Sequence, residues 1–271
     1  MKKNILKKVL ATAVVSVMGF GLVSCGNDEK VDKLTEIKNK GELVVGLSAD
    51  YAPYEFHIME DGEDKIVGFD VNIAEEIAKD LGVKLVIKDM EFDSLVAALP
   101  ADKIDLVISG MSPDEKRRKA VDFSDIYYTS EHGMIVRAED KDKYKSFEDL
   151  KGQKIGAQMG SIQADLATEQ IEGADMQLLS NVNDLVVSLK AGKIEALVVE
   201  LPVAEMIVQN NDGLAVAEEK FKDDEGGTAV AIKKDSPELV EQVNSTIKRI
   251  KEENLLDQFI IDANKLAEKA N

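Results

Sequence analysis

Apolar and polar positions along this chain fall into blocks whose period changes repeatedly. The run "ELVVGLS", Glu42 to Ser48, is apolar and β-branched, which predicts a buried strand that "ADYAP" then breaks. In "GFDVNIAEEIAKDLG", Ile73, Ala74, Ile77, Ala78 and Leu81 return at helical spacing, with Asp70 placed to cap the helix and Gly82 to end it. "VKLVIKDM" reads as the next strand, "FDSLVAALPADK" as a short helix and "IDLVISG" as a further strand. Apolar strands separated by helices predict a mostly parallel sheet covered on both faces.

The rhythm restarts after Arg137. "KSFEDLKGQKIGAQMGS" predicts a helix and a strand, and "NVNDLVVSLKAGKIEALVVE" a helix and then a strand. "GTAVAIKKDSPELVEQVNSTIKRIKEENLLDQFI" supplies a last strand and one long terminal helix. Two similar α/β blocks and a returning C-terminal segment predict two lobes. Residues 42–128 plus 228–271 form the first, 129–227 the second, with crossings near 127–131 and 224–228.

Residues 1–24 break this pattern. Lys2, Lys3, Lys7 and Lys8 precede an apolar run from Val9 to Val23, shorter than the roughly 20 residues a spanning helix needs. Such a start predicts a secretory signal. It ends in "LVSC", and Cys25 is the chain's single cysteine, so an internal disulfide is excluded. A lone cysteine at a signal's end resembles the bacterial lipoprotein processing site, which would leave a lipidated, palmitate-bearing Cys25. Residues 25–41, beginning "CGNDEKVDK", then read as a polar tether holding the body outside the cytoplasm, anchored to the cell membrane.

Charge narrows the chemistry. The net charge is −18, with 52 acidic residues against 34 basic ones. An acidic body of this kind repels phosphate backbones, so nucleic acid is not an expected partner. Only four of the basic residues are arginines, and two of these are adjacent in "SPDEKRRK". Ser112, Pro113 and Glu115 have the spacing of a capping box. Arg117, one turn in, can lean back over the helix start, where free N–H groups and the dipole favour an anion. A planar guanidinium fork there suits a carboxylate. Lys116, Arg118 and Lys119 read as a solvated face.

A second anion-friendly turn runs through Gly160 into a helix beginning at Ser161 or Ile162, although a plain αβ loop has the same look. The glycines at 152, 156 and 160 match no phosphate-binding pattern. Glu200 ends the apolar strand "EALVVE", where open α/β folds bind ligands. It can hold an ammonium group or simply face water. Tyr51, Tyr54 and Phe92 stand out in a chain with 5% aromatics and no tryptophan, and they could wall an apolar or cationic side chain.

Taken in order, "ADYAPYEF", "GFDVNIAEEIA", "EFDSLVAALPADKIDLVISGMSPDEKRRKAVDFSDIYY", "GAQMGSIQADLA" and "EALVVELPVAE" resemble the polar amino-acid solute-binding proteins of ABC importers, over residues 42 to 262. The resemblance implies an α/β, two-lobed periplasmic-binding-protein type II fold with two hinge crossings. The lobes would close on an L-amino acid and deliver it to a membrane permease with its ATPase subunits.

It also implies roles: Arg117 for the carboxylate, with the Ser112 hydroxyl and the Gly110 carbonyl, and Ser161 and Ile162 for the opposite side. Glu200 would hold the α-ammonium, Tyr51 and Phe92 would form walls, and Gln158 would read the side chain. Ser48 departs from the family, which often has Asp there to meet a ligand side chain. The acidic charge and the aromatic pair favour a basic or polar ligand, arginine or lysine slightly ahead; Ser48 leans the other way, towards the alternative of a neutral glutamine-like amino acid or cystine. His57 and His132 show no metal spacing, so neither cofactor, metal nor catalytic residue is expected, and a binding-protein-fold enzyme is the lesser reading. The protein is expected to be monomeric.

Overall fold

The computed structural model describes residues 31–223 and 226–269. The expected leader and Cys25 lie outside them. Part of the expected tether is instead helix α1 (Lys33–Lys40). Asp32 caps it by accepting from the Thr35 N–H, Gly41 closes it in the left-handed region, and Ile37 is buried. A capped turn with one apolar anchor is enough to dock it on the body.

Strand β1 (Glu42–Leu47) is followed by β2 (Asp50–Tyr51), β3 (Glu55–Glu60) and β4 (Glu63–Val67), which form a small antiparallel sheet. Asp61 and Gly62, both at positive φ, make the turn between β3 and β4. Then come α2 (Phe69–Leu81), β5 (Lys84–Asp89), α3 (Phe92–Ala98), β6 (Leu106–Val107), α4 (Glu115–Ala120) and β7 (Val121–Phe123). The next block holds β8 (His132–Arg137), β9 (Lys154–Gln158), α5 (Ile162–Gln170), β10 (Asp175–Leu179), α6 (Val182–Lys190), β11 (Ala196–Glu200), α7 (Leu201–Asn210) and β12 (Leu214–Val216). The chain closes with β13 (Ala231–Lys233), α8 (Pro237–Glu252) and α9 (Leu255–Ala267).

Two five-stranded sheets result, in the orders β5-β1-β6-β13-β7 and β10-β9-β11-β8-β12. In each, three parallel strands are extended by antiparallel ones: β13 runs against β6 and β7, and β8 against β11 and β12. Alternate residues of β1 face opposite sides, Leu43 and Val45 with α2 and α8, Val44 with α3. Both faces are therefore covered, which is why the strand reads as continuously apolar. Between the sheets the chain passes twice, and the two passages pair: Thr228 donates from its N–H to the Tyr128 carbonyl at 2.8 Å, and Tyr127 to Thr228 at 2.9 Å.

Several local expectations change. Asp70 does not cap α2; Gly68 occupies that position, and Asp70 turns inward with no exposed surface. The helix near Arg117 starts two residues later than the capping box predicts. Asp114 is its cap, accepting from the Arg117 N–H at 2.7 Å, because two overlapping cap sequences compete and the carboxylate wins. "KSFEDLK" yields only a short 3-10 turn at Glu148–Leu150. The single terminal helix is two, broken at Asn254 in the left-handed region.

Gly68 is required where it stands. Its φ is 135°, and a Cβ there would lie 2.0 Å from the Tyr54 carbonyl oxygen. That close approach lets the N-terminus of α2 dock on the Pro53–Tyr54 turn, with Asp70 donating from its N–H to Tyr54 at 3.0 Å.

Candidate functional site

The two sheet-bearing halves meet along three sets of side chains. In the middle, the Tyr54 hydroxyl donates to the Glu200 carboxylate, and Ser130 donates to the same oxygen at 2.5 Å. The Glu200 N–H donates to the Tyr51 hydroxyl at 3.0 Å, and Gln163 to that hydroxyl at 3.3 Å. The Tyr54 ring packs at 4.3 Å from Phe69, 5.5 Å from Tyr51 and 5.8 Å from Tyr128, centroid to centroid. Glu200 thus does not face water: it is 1% exposed.

Under these tyrosines lie two more acids. Glu55 accepts from the Ser109 hydroxyl at 2.5 Å, and that hydroxyl accepts from the Ser48 N–H at 3.0 Å. Asp70 accepts from the Gly110 N–H and the Tyr127 hydroxyl, each at 2.8 Å. Gly110 sits at φ 51° with the Tyr51 and Tyr54 rings 3.5 Å from where a Cβ would be. Glu200 keeps one buried oxygen without a hydrogen-bond partner, whereas the Glu55 and Asp70 carboxyls meet each other, Glu55 as the protonated donor. Burial raises all three carboxyls, and the charge of Asp70 adds to the effect on Glu55. Asp70 is pushed up to about 7 although Gly110 and Tyr127 pull the other way.

At one end stands Arg117, the buried lysine or arginine among the described residues. It donates to the Ser112 carbonyl at 2.7 Å and, across to the other half, to the Gly160 carbonyl at 2.9 Å. Its Nε lies 3.2 Å from the Asp114 carboxylate, and its guanidinium 5.5 Å from the Phe92 ring centroid. Ser161 caps α5, accepting from Ala164 at 3.3 Å. Phe92, Arg117, Gly160 and Ser161 line one cavity of about 410 Å³.

At the other end, Asp50 accepts from Ser48 at 3.1 Å, from Gln158 at 3.3 Å and from the Val182 N–H at 2.7 Å. Burial pushes its carboxyl up to about 6. Of the residues expected from sequence, Tyr51, Gly110 and Glu200 come together with Tyr54, while Phe92, Ser112, Arg117 and Ser161 gather at the arginine end. Ser48 and Gln158 meet only through Asp50. The Ile162 side chain packs into the core of the second half.

Sequence reasoning passed over Asp50, Glu55, Ser109, Tyr127, Ser130 and Gln163 as site residues, and took Asp70 for a helix cap only. A signal existed for one of them: Asp70, Ile73, Ala74 and Ile77 share a helix face, so Asp70 had to be buried. No helix among the described residues is long and apolar enough to cross a membrane. The arrangement offers one cationic end and a buried acidic centre, fit for a ligand carrying both charges.

The model of the bacterial extracellular solute-binding proteins, family 3, matches residues 43–261. The arginine-binding extracellular protein ArtP of Bacillus subtilis (strain 168) is 38% identical over 259 residues, which cover 94% of this chain and 96% of that protein. The L-cystine-binding protein TcyJ of Escherichia coli (strain K12) is 31% identical over 256 residues, 94% of this chain and 92% of that one. Among solved structures, the amino acid ABC transporter substrate-binding protein AbpA from Streptococcus pneumoniae, bound to L-arginine, matches with a TM-score of 0.83 at 42% identity. That match covers 86% of this chain and 98% of the other.

Proposed function

The chain belongs to the bacterial extracellular solute-binding proteins, family 3, and on that premise we propose that it captures an L-amino acid with a basic side chain, arginine ahead of lysine. The amino acid is held between the two halves and passed to an ABC permease with its ATPase subunits. One observation carries the basic side chain: three buried acids, Glu55, Asp70 and Glu200, gather around Tyr51, Tyr54 and Tyr127 with no buried lysine or arginine of the described residues beside them. Uncompensated buried acids are costly, and a guanidinium supplies several donors and a charge at once. Arg117, beside the capped start of α5, takes the carboxylate, and the rings of Tyr51 and Phe92 wall the ligand. Contacts from both halves favour the closed arrangement by their difference in energy between the two states.

The relatives described above are transport binding proteins, and we read this chain as likewise performing no chemistry. Residues 42–128 with 228–271 and residues 129–227 serve as the two lobes. The family places the protein outside the cytoplasm; a lipid on Cys25, following a cleaved leader and ahead of a shortened tether, would fix a monomer to the membrane surface.

The test is thermal unfolding against each of the twenty L-amino acids and cystine. A ligand at about 100 times its dissociation constant adds roughly 2.7 kcal/mol. L-arginine should raise the midpoint most, with L-lysine next. Glutamine or cystine in first place would move the reading to a neutral polar ligand, and a flat panel would overturn it.

A further inference from the structure

We propose that Asp50 is the latch between the two halves, a positioning residue that sets how long the ligand stays enclosed. Asp50 lies in β2, attached to the first half, yet two of its three side-chain partners belong to the second: Gln158 on β9 and the N–H of Val182 on α6. Val182 is the first residue of α6, so its N–H has no acceptor within the helix. The cap residue of that helix, Asn181, spends its own side chain on the Asn183 N–H at 2.8 Å. Asp50 therefore completes the cap from across the boundary, and its charge faces the positive end of the helix dipole.

Both sides of this contact are held in place. Ser48 donates to Asp50 at 3.1 Å from its own half, and Gln158 is anchored by the Ser180 carbonyl at 3.0 Å. The contact stands at the opposite end of the boundary from Arg117, and of its members Ser48 and Gln158, not Asp50 or Val182, are those expected to meet the ligand. Losing it should leave recognition in place and shorten retention.

The kinetic arm rests on the amino-acid reading. L-arginine association and dissociation are measured by stopped flow for the wild type, Asp50→Ala, Val182→Pro and the double variant. Proline at the first helical position is tolerated, and the extended backbone of Asn181 suits a following proline, so Val182→Pro deletes the donor while keeping the helix. Each single change should raise the dissociation rate about tenfold, and the double change no further, since a shared contact can be lost once. Association should change by less than about threefold, because most effects of contact changes fall on dissociation. Strictly additive rates would overturn the latch.

A second arm needs no ligand: hydrogen exchange of the Val182 amide, followed by NMR. Protection in the wild type that is lost in Asp50→Ala supports the latch, and equal exchange in both overturns it. Failure of L-arginine to bind the wild type would sink the ligand assignment while leaving this second arm decisive.

Discussion

Arg117 and Gly160 are joined across the boundary between the halves, guanidinium to carbonyl, at 2.9 Å. Because Arg117 also holds the Ser112 carbonyl of its own half at 2.7 Å, one planar fork ties the turn before α4 to the turn before α5. A lysine ammonium has no such fork.

Arg117→Ala should therefore weaken L-arginine binding by about 2–5 kcal/mol, typical for one partner of a desolvated charge pair. Arg117→Lys should recover only a small part of that loss. Titration calorimetry decides, and an affinity within about threefold of wild type would remove Arg117 from the carboxylate site.

Glu200→Gln separates function from stability. The amide keeps the shape and can still accept from Tyr54 and Ser130, but it lacks the charge. Affinity for L-arginine should fall by about 2–5 kcal/mol. The ligand-free melting temperature should stay level or rise, because a buried carboxylate with an unpartnered oxygen is a burden on the fold. A lower melting temperature with unchanged affinity would make Glu200 structural.

The pH dependence has a defined sign. The Asp70 carboxyl, ordinarily near 3.8, is raised by burial to about 7, so between those values the folded protein holds a proton that the unfolded chain releases. Its contribution to stability is full below 3.8 and lost as pH rises through 7. A cationic side chain favours the ionised acid, so below about pH 7 binding should release a proton and tighten as pH rises, by up to about tenfold per unit, and it should level off above 7. Calorimetry in two buffers of different ionisation heat measures that release; pH-independent affinity would place the cation elsewhere.

Gly68→Ala tests the docking of α2. A Cβ would meet the backbone oxygen of Tyr54 at 2.0 Å, which no side-chain adjustment relieves. The backbone must shift, at a cost of at least about 1–3 kcal/mol. Tyr54 would move with it, so L-arginine affinity should fall together with the melting temperature. A melting temperature within about 2 °C of wild type, below what 1 kcal/mol produces at this size, would refute the steric argument.

The alternation of strands and helices was legible because β1, β9 and β11 are covered on both faces and so carry apolar or glycine residues along their interiors. The small sheet β2-β3-β4 was not: its strands are half-exposed, although "EDGE" around Asp61 and Gly62 carries a turn signature. Arg117, Tyr51 and Glu200 could be singled out by rarity or position. Glu55 and Asp50 could not, because each is one acid in a strongly acidic chain. Only the folded neighbours, Ser109 for one and Val182 for the other, distinguish them from surface carboxylates. Ser112 shows the opposite failure, a local pattern overridden by Asp114 two residues later.

The position of β13 between β6 and β7 bears on how the molecule assembles. The strands of the second sheet follow one another without interruption from His132 to Val216, so that unit can form as soon as this segment is available. The first sheet cannot close until Ala231–Lys233 arrives, because β6 and β7 have no direct pairing and share β13 as their only neighbour in common. The half that is first in sequence is therefore the last to be finished, and a chain truncated shortly after Val216 would keep a complete second sheet beside a first one reduced to β5-β1-β6, with β7 left without a partner.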